Sequence, residues 1–465
     1  MTALLRPLSS GVTVAALCVG VGAVLAANDQ VGFALAIAGV AVFALAAPAG
    51  SWVLAAVVAA LTFRGLVTLG VLPSVATFVD IPIAWGALAV ALAKRAPRSP
   101  GASRQLRWLA LLAAAVLFAW IFHRSEILRP LLYLALLGEP FAILGALLLD
   151  PPSHRLRRVL ALTLAGLVAV QLPVVAYQVN RYGVDSDHVQ GTLSGAGAGA
   201  HTLSAVLAVA ALWLVATGVS PLAWRRLALA AVLLIVPFLA DAKQVILSLP
   251  VALICAPWRR GLTRLALRTG LVAGAVAALF AFYPTAHNSL YFAQQARSGG
   301  GGKTETARIV WSHLRSDPES LVFGKGPAET VSRAAFMTTD LLQRQDSPLR
   351  VLDLHSAEIA VDAQKAATIA SGGDTSVNSG VSSALGVLGD LGLFGVVAYL
   401  GLFLSVYLAL RRTPGPAAVA AAGGWAMFGV LGLVFDWWEQ PPFSVFLAVL
   451  TGLALTTSPR RRRHA

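Results

Sequence analysis

The stretch PTAHNSLYFAQQARSGGGGKTETARIVWSHLRSDPESLVFGKGPAETVSRAAFMTTDLLQRQDSPLRVLDLHSAEIAVDAQKAATIASGGDTSVNSGVS, Pro284 to Ser382, is a polar island in an otherwise hydrophobic chain. It carries ten Asp or Glu and nine Lys or Arg residues. Almost everything before and after it reads as membrane span. A long polar insert between spans lies on one side of the bilayer, so finding that side fixes the topology.

Hydrophobic residues make up 57% of the 465 and charged residues only 12%, the balance of an integral membrane protein. The net charge is +14, yet the island is near neutral, so the excess sits in short loops. Basic clusters occur at Lys94, Arg95, Arg98, Arg104 and Arg107, then at Arg155, Arg157 and Arg158. Others follow at Arg225 and Arg226, at Arg259, Arg260, Arg264 and Arg268, at Arg411 and Arg412, and at Arg460 to Arg463. Lys/Arg-rich loops flanking spans mark the cytoplasmic side, so this charge points to topology and not to a nucleic-acid partner. Cys18 and Cys255 both fall in apolar stretches and the island has no cysteine, so no disulfide is expected.

Apolar stretches of span length occur at 11–27, 31–48, 51–72, 74–93, 108–123, 127–149, 159–179, 201–218, 227–240, 243–257, 266–283, 383–410, 416–435 and 441–457. The first ends in Ala26-Ala27-Asn28-Asp29 but is followed at once by a second, and reads as an uncleaved helix. The expectation is an all-α polytopic membrane protein of about 12–14 transmembrane helices, each needing about 20 residues. Both termini are then cytoplasmic, every basic cluster falls inside, and the island falls outside a cytoplasmic (inner) membrane. The chain divides into N-terminal spans over 1–283, an extracytoplasmic cap over 284–382, and C-terminal spans with a basic tail over 383–465. Ser298 to Gly302 reads as a flexible linker, and 304–316 and 353–370 have helical periodicity with one apolar side.

Within this frame Arg64 and Asp80 lie in adjacent spans at similar depth, and Glu139 precedes Pro140 inside another. Intramembrane charges are costly, and are either paired for structure or functional. Arg181, His188, Lys243, Arg308, His355, Asp374 and Asn378 all map to the outer boundary. Cations gathered at that depth suit a diphosphate headgroup, whose oxygens they hold and whose leaving-group charge they offset. Gly299-Gly300-Gly301-Gly302-Lys303-Thr304 imitates a phosphate-cradling loop, but the required first glycine is Arg297. No metal-ligand spacing occurs.

Four stretches resemble the O-antigen ligase/polymerase family of membrane glycosyltransferases. They are Val189-Gln190-Gly191-Thr192-Leu193-Ser194-Gly195; Asp241-Ala242-Lys243-Gln244; Ala307-Arg308-Ile309-Val310-Trp311 with Phe323-Gly324-Lys325-Gly326-Pro327; and Val377-Asn378-Ser379-Gly380 with Leu388-Gly389-Asp390-Leu391-Gly392-Leu393-Phe394-Gly395. The likeness covers roughly residues 160 to 405. It departs from the family at Val377, where the family has histidine, and at His188, where an arginine is frequent. The resemblance implies metal-independent, inverting transfer of a glycan from a polyprenyl diphosphate to a hydroxyl of an acceptor glycan or lipid, with no cofactor. In that chemistry Arg308, Lys243 and Arg181 take the diphosphate. His188, His355 and Asp374 are the candidate bases, and Asn378 is a further site residue. A transporter or flippase, with Arg64, Asp80 and Glu139 as a charged pathway, is the alternative, although no internal two-fold repeat is visible. A structural membrane protein without chemistry is a third reading.

Overall fold

The computed structural model describes residues 47–72, 74–94, 100–184, 188–193, 198–217, 223–258, 301–339, 357–370 and 382–457. The spans expected at 11–27 and 266–283, nearly all of 31–48, and His355, Asp374 and Asn378 lie outside them. Among the described residues the regular elements are all helical, and eight helices are long and apolar enough to cross a membrane. The chain is an all-α polytopic membrane protein.

The N-terminal half contributes α1 (Ala49–Thr68), α2 (Asp80–Ala93), α3 (Pro100–His123), α4 (Leu128–Leu149) and α5 (His154–Tyr182). They are followed by α6 (Ala198–Ala216), α7 (Ala223–Leu239) and α8 (Lys243–Cys255). The island supplies α9 (Gly302–Leu314), α10 (Pro318–Phe323), α11 (Arg333–Thr338) and α12 (Glu358–Ala370). The C-terminal part is α13 (Ser383–Arg412), α14 (Pro416–Val434) and α15 (Pro441–Thr457).

Burial sorts these helices. The second half of α4 is enclosed from Leu136 to Leu149, and it packs against α1, α2, α3 and α15. By contrast α5 and the later turns of α3 expose Leu162, Val170, Leu117, Phe118 and Ile121, the apolar faces that a lipid phase covers. Helices approach where a glycine faces a large ring. A Cβ on Gly138 would stand 2.7 Å from Trp85, and one on Gly401 would stand 2.2 Å from Trp108. Packing of small against large residues drives association where water is absent. Pro140, Pro173, Pro237 and Pro250 sit inside helices, as bilayer-spanning segments tolerate.

The breaks follow local chemistry. Asp241, at φ 44°, turns the chain between α7 and α8, so the short spans expected at 227–240 and 243–257 are two separate helices. Asp317 caps α10 by accepting from the Ser320 amide at 2.6 Å, with Pro318 behind it in the first turn. Ser332 and Ser382 cap α11 and α13 in the same way. At one end of the bundle Lys94 meets Asp150 at 3.3 Å, and Arg157 donates to the Thr456 carbonyl at 2.9 Å. Island residues gather at the other end, where Gly326 approaches His123 and Arg129 meets Glu329.

The island was expected to lie on the membrane domain as a cap. Helices α9 and α12 pack on each other. The connecting chain does something different. From Ala328 to Met337 all residues but Glu329 are buried, and α11 packs against α4. This stretch re-enters the helical core and carries Arg333 with it.

Candidate active site beneath the cap

Two short loops build the site. The first is Val189 to Leu193. Gln178 of α5 accepts from the Gln190 and Gly191 amides at 3.1 and 2.8 Å and donates to the Gly191 carbonyl. Gln171 accepts from the Thr192 amide and donates to its hydroxyl at 2.7 Å. That hydroxyl in turn reaches the Leu61 carbonyl at 3.2 Å, inside a π-helical stretch of α1, Ala59–Phe63. The Thr192 backbone lies so close to α1 that a Cβ on Gly65 would stand 2.4 Å from its carbonyl oxygen. Arg64, the neighbour of Gly65, is fixed beside the loop.

The second loop is Gly324 to Ser332. Asp390 of α13 accepts from the amides of Ala328, Glu329 and Thr330 and from the Thr330 hydroxyl at 2.6 Å. The Gly389 carbonyl accepts from the Lys325 amide at 2.7 Å. The close approach uses glycine twice over. Gly324 has φ 80° and Gly392 has φ 64°, and a Cβ on either would come within 2.4 Å of the facing backbone. Arg129, itself buried, clamps the far side through the Ala328 carbonyl at 3.0 Å and the Glu329 carboxylate at 3.2 Å.

These loops deliver Arg64 and Arg333 to one region. Arg333 pairs with Asp436, which also accepts from Gln440 at 2.8 Å. Gln440 is met by Thr202 of α6, and Trp437 by Gln244 of α8, at 3.3 and 3.0 Å. Arg64 lies within electrostatic reach of Asp80, Glu139, Arg333 and Asp436. It is partly exposed as a residue, but its Nε is enclosed without a hydrogen-bond partner. The carboxylates of Asp80 and Glu139 both face Arg64 electrostatically, and their oxygens are enclosed without a side-chain hydrogen bond among the described residues. Lys303 reaches in from α9, its amine 4.6 Å from the centre of the Phe435 ring. Burial pulls its pKa down to about 7, against the pull of Asp436. Two guanidiniums held close in a low-dielectric setting repel each other unless acids, or an anion, lie between them.

Of the residues expected at the outer boundary, Arg181, His188, Lys243 and Arg308 are among those described. Arg181 is exposed on α5 and donates to the Tyr177 hydroxyl at 2.7 Å. His188 is exposed, its ring stacked on Tyr182 at 4.8 Å. Lys243 pairs with Asp241 at 3.1 Å, next to Gln244. Arg308 projects from the open face of α9 and pairs with Glu305, while Val310 and Leu314 turn inward. The structure thus brings Gln244 to the buried cluster but none of Arg181, His188 or Arg308. Among the described residues no group of three or more His, Cys, Asp or Glu is arranged to hold a metal ion.

Sequence reasoning singled out Arg64, Asp80 and Glu139 but missed Arg333, Asp436 and Glu439. The available signals were the polar run Asp436 to Gln440 between two apolar spans, and an arginine opening the apolar Ala334-Ala335-Phe336-Met337. No family model matches this chain, and no curated protein matches it.

Proposed function

We propose that the chain is a membrane glycosyltransferase of the O-antigen ligase/polymerase type, working at the outer face of a cytoplasmic membrane. On this reading it moves a glycan from a polyprenyl diphosphate to an acceptor hydroxyl. One observation carries the reading. Parts of all four stretches that resemble that family meet around the Arg64–Arg333 cluster. Gln190 to Thr192 seats Arg64, Gln244 braces Trp437, and Gly324 to Gly326 joins Gly389 and Asp390 to lead the chain down to Arg333.

The chemistry follows from the charges. The acceptor oxygen attacks the anomeric carbon as its bond to the diphosphate oxygen breaks, and negative charge grows on the diphosphate. Arg64 and Arg333 supply fixed positive charge where it develops, and Lys303 adds to it when protonated. A guanidinium fork binds two phosphate oxygens at once. Removal of this chain from its native cell should cause the lipid-linked glycan to accumulate and the surface glycan to disappear. Unchanged pools of both would refute glycosyl transfer.

A transporter is the second reading, favoured by the carboxylates of Asp80 and Glu139 inside the bundle, near Arg64. Proteoliposomes separate the two: a transporter moves lipid-linked glycan across the bilayer without an acceptor, whereas a transferase needs one.

A further inference from the structure

A second set of buried polar groups lies beside the Arg333–Asp436 pair. Tyr133 of α4 and Tyr399 of α13 are almost wholly buried, and neither hydroxyl has a hydrogen-bond partner among the described residues. Glu439 is equally buried. Its Oε2 accepts from the Ala334 amide at 3.1 Å, one residue from Arg333, but its Oε1 has no partner. The three side chains lie within electrostatic reach of one another. Trp438, next to Glu439, stacks on the Tyr399 ring at 4.5 Å. Buried polar atoms are satisfied by protein or by ordered water. Two hydroxyls and a carboxylate oxygen gathered together make the polar lining that holds water, unlike an apolar gap, which stays dry.

We propose that Tyr133, Tyr399 and Glu439 line a hydrated pocket beside the Arg333–Asp436 pair, and that Glu439 takes up, through its water, the proton released at that centre. The proton role rests on the glycosyl-transfer reading; the pocket itself does not. In that reaction the acceptor oxygen bonds to the anomeric carbon. The electron pair of the broken carbon–oxygen bond leaves on the diphosphate. The hydroxyl proton passes along the water to Glu439 Oε1.

The surroundings suit the task. Burial pushes the Glu439 pKa up to about 8, helped by the facing carboxylates of Asp436 and Asp390 and opposed by the amides of Ala334 and Arg333. Tyr133 and Tyr399 are the other titratable groups that face it. An acid near working pH both accepts a proton and gives it up again.

The test uses the full-length protein in lipid nanodiscs. X-ray-generated hydroxyl radicals in oxygen-18 water label side chains next to ordered water. Tyr133 and Tyr399 should take up oxygen-18 severalfold faster than the equally buried Phe336 and Phe428. Uptake no faster than at those phenylalanines overturns the pocket. Glu439→Gln keeps an oxygen for the Ala334 amide, so the variant should fold. Its infrared spectrum should lack a carboxylic-acid band that wild-type protein loses as pH rises through about 8. With lipid-linked glycan and acceptor supplied, wild-type transfer should quicken as pH rises towards that value, and Glu439→Gln should lose most activity and this rise. A wild-type pH profile in Glu439→Gln overturns the proton role. Absence of transfer by wild-type protein counts against glycosyl transfer alone, because the labelling decides the pocket separately.

Discussion

At the scale of single residues, charges sit where water is scarce. The buried Arg333–Asp436 pair joins the re-entrant chain to the turn between α14 and α15. Removing one partner of such a pair strands the other, at a cost of about 3–5 kcal/mol. Arg333→Met should therefore lower stability by about that much, and Arg333→Met with Asp436→Leu should recover most of it, as read by melting in detergent. Equal losses in the single and double variants would show that the pair does not hold the turn. Glu329 gives a pH dependence. Burial pushes its pKa up to about 7, opposed by Arg129 and assisted by Asp390 and Glu126. The folded state then holds a proton that the unfolded chain releases near the ordinary glutamate value of 4.5. Stability contributed at this residue is present below about 4.5 and is lost as pH rises through about 7. Hydrogen exchange at the amides of 328–330 should quicken over that window, and Glu329→Gln should abolish the change.

At the scale of elements, glycines at left-handed positions join loops to helices. Gly324 sits against the Asp390 backbone, while Gly183, also at φ 80°, has open space around it. Gly183→Ala should cost only backbone strain, about 1–3 kcal/mol. Gly324→Ala adds a backbone clash at 2.2 Å and should free the re-entrant loop, seen as new protease cutting between α10 and α13. Similar melting and cutting in the two variants would contradict the join. Helix boundaries were largely legible in the sequence, because apolar runs end at capping groups: the span expected to begin at 383 starts behind the Ser382 cap. The burial of Ala328 to Met337 was not legible. Its apolar residues are too few to register as a span, and its polar groups are satisfied by Asp390 and Glu439, distant in sequence. Gly324, Gly389, Asp390 and Gly392 were noticed as motif residues, yet their structural work depends on contacts that no spacing reveals.

At the scale of the whole molecule, the charge pattern and the bundle agree in one respect. Lys94, Arg157 and Arg412 lie at helix ends opposite the loop held by Arg129. With native cysteines replaced, Arg155→Cys should label only from the cytoplasmic side and Arg315→Cys only from outside; the reverse pattern would invert the topology. The candidate site was half legible. Arg64, Asp80 and Glu139 stood out as charges in apolar runs, whereas Arg333 was hidden among the charges of the island. Arg308 was conspicuous but pairs with Glu305 on an open face, a contact worth about 0–1 kcal/mol. In the proposed reaction Arg64, and not Arg308, is the residue that holds the diphosphate. Equilibrium binding of a polyprenyl diphosphate to purified protein, followed by native mass spectrometry, tests it directly. Arg64→Gln should weaken binding by about thirtyfold or more, since losing a buried charged contact costs about 2–5 kcal/mol. Arg308→Ala should bind nearly as wild type does. Undiminished binding by Arg64→Gln, or loss of binding confined to Arg308→Ala, would contradict the account.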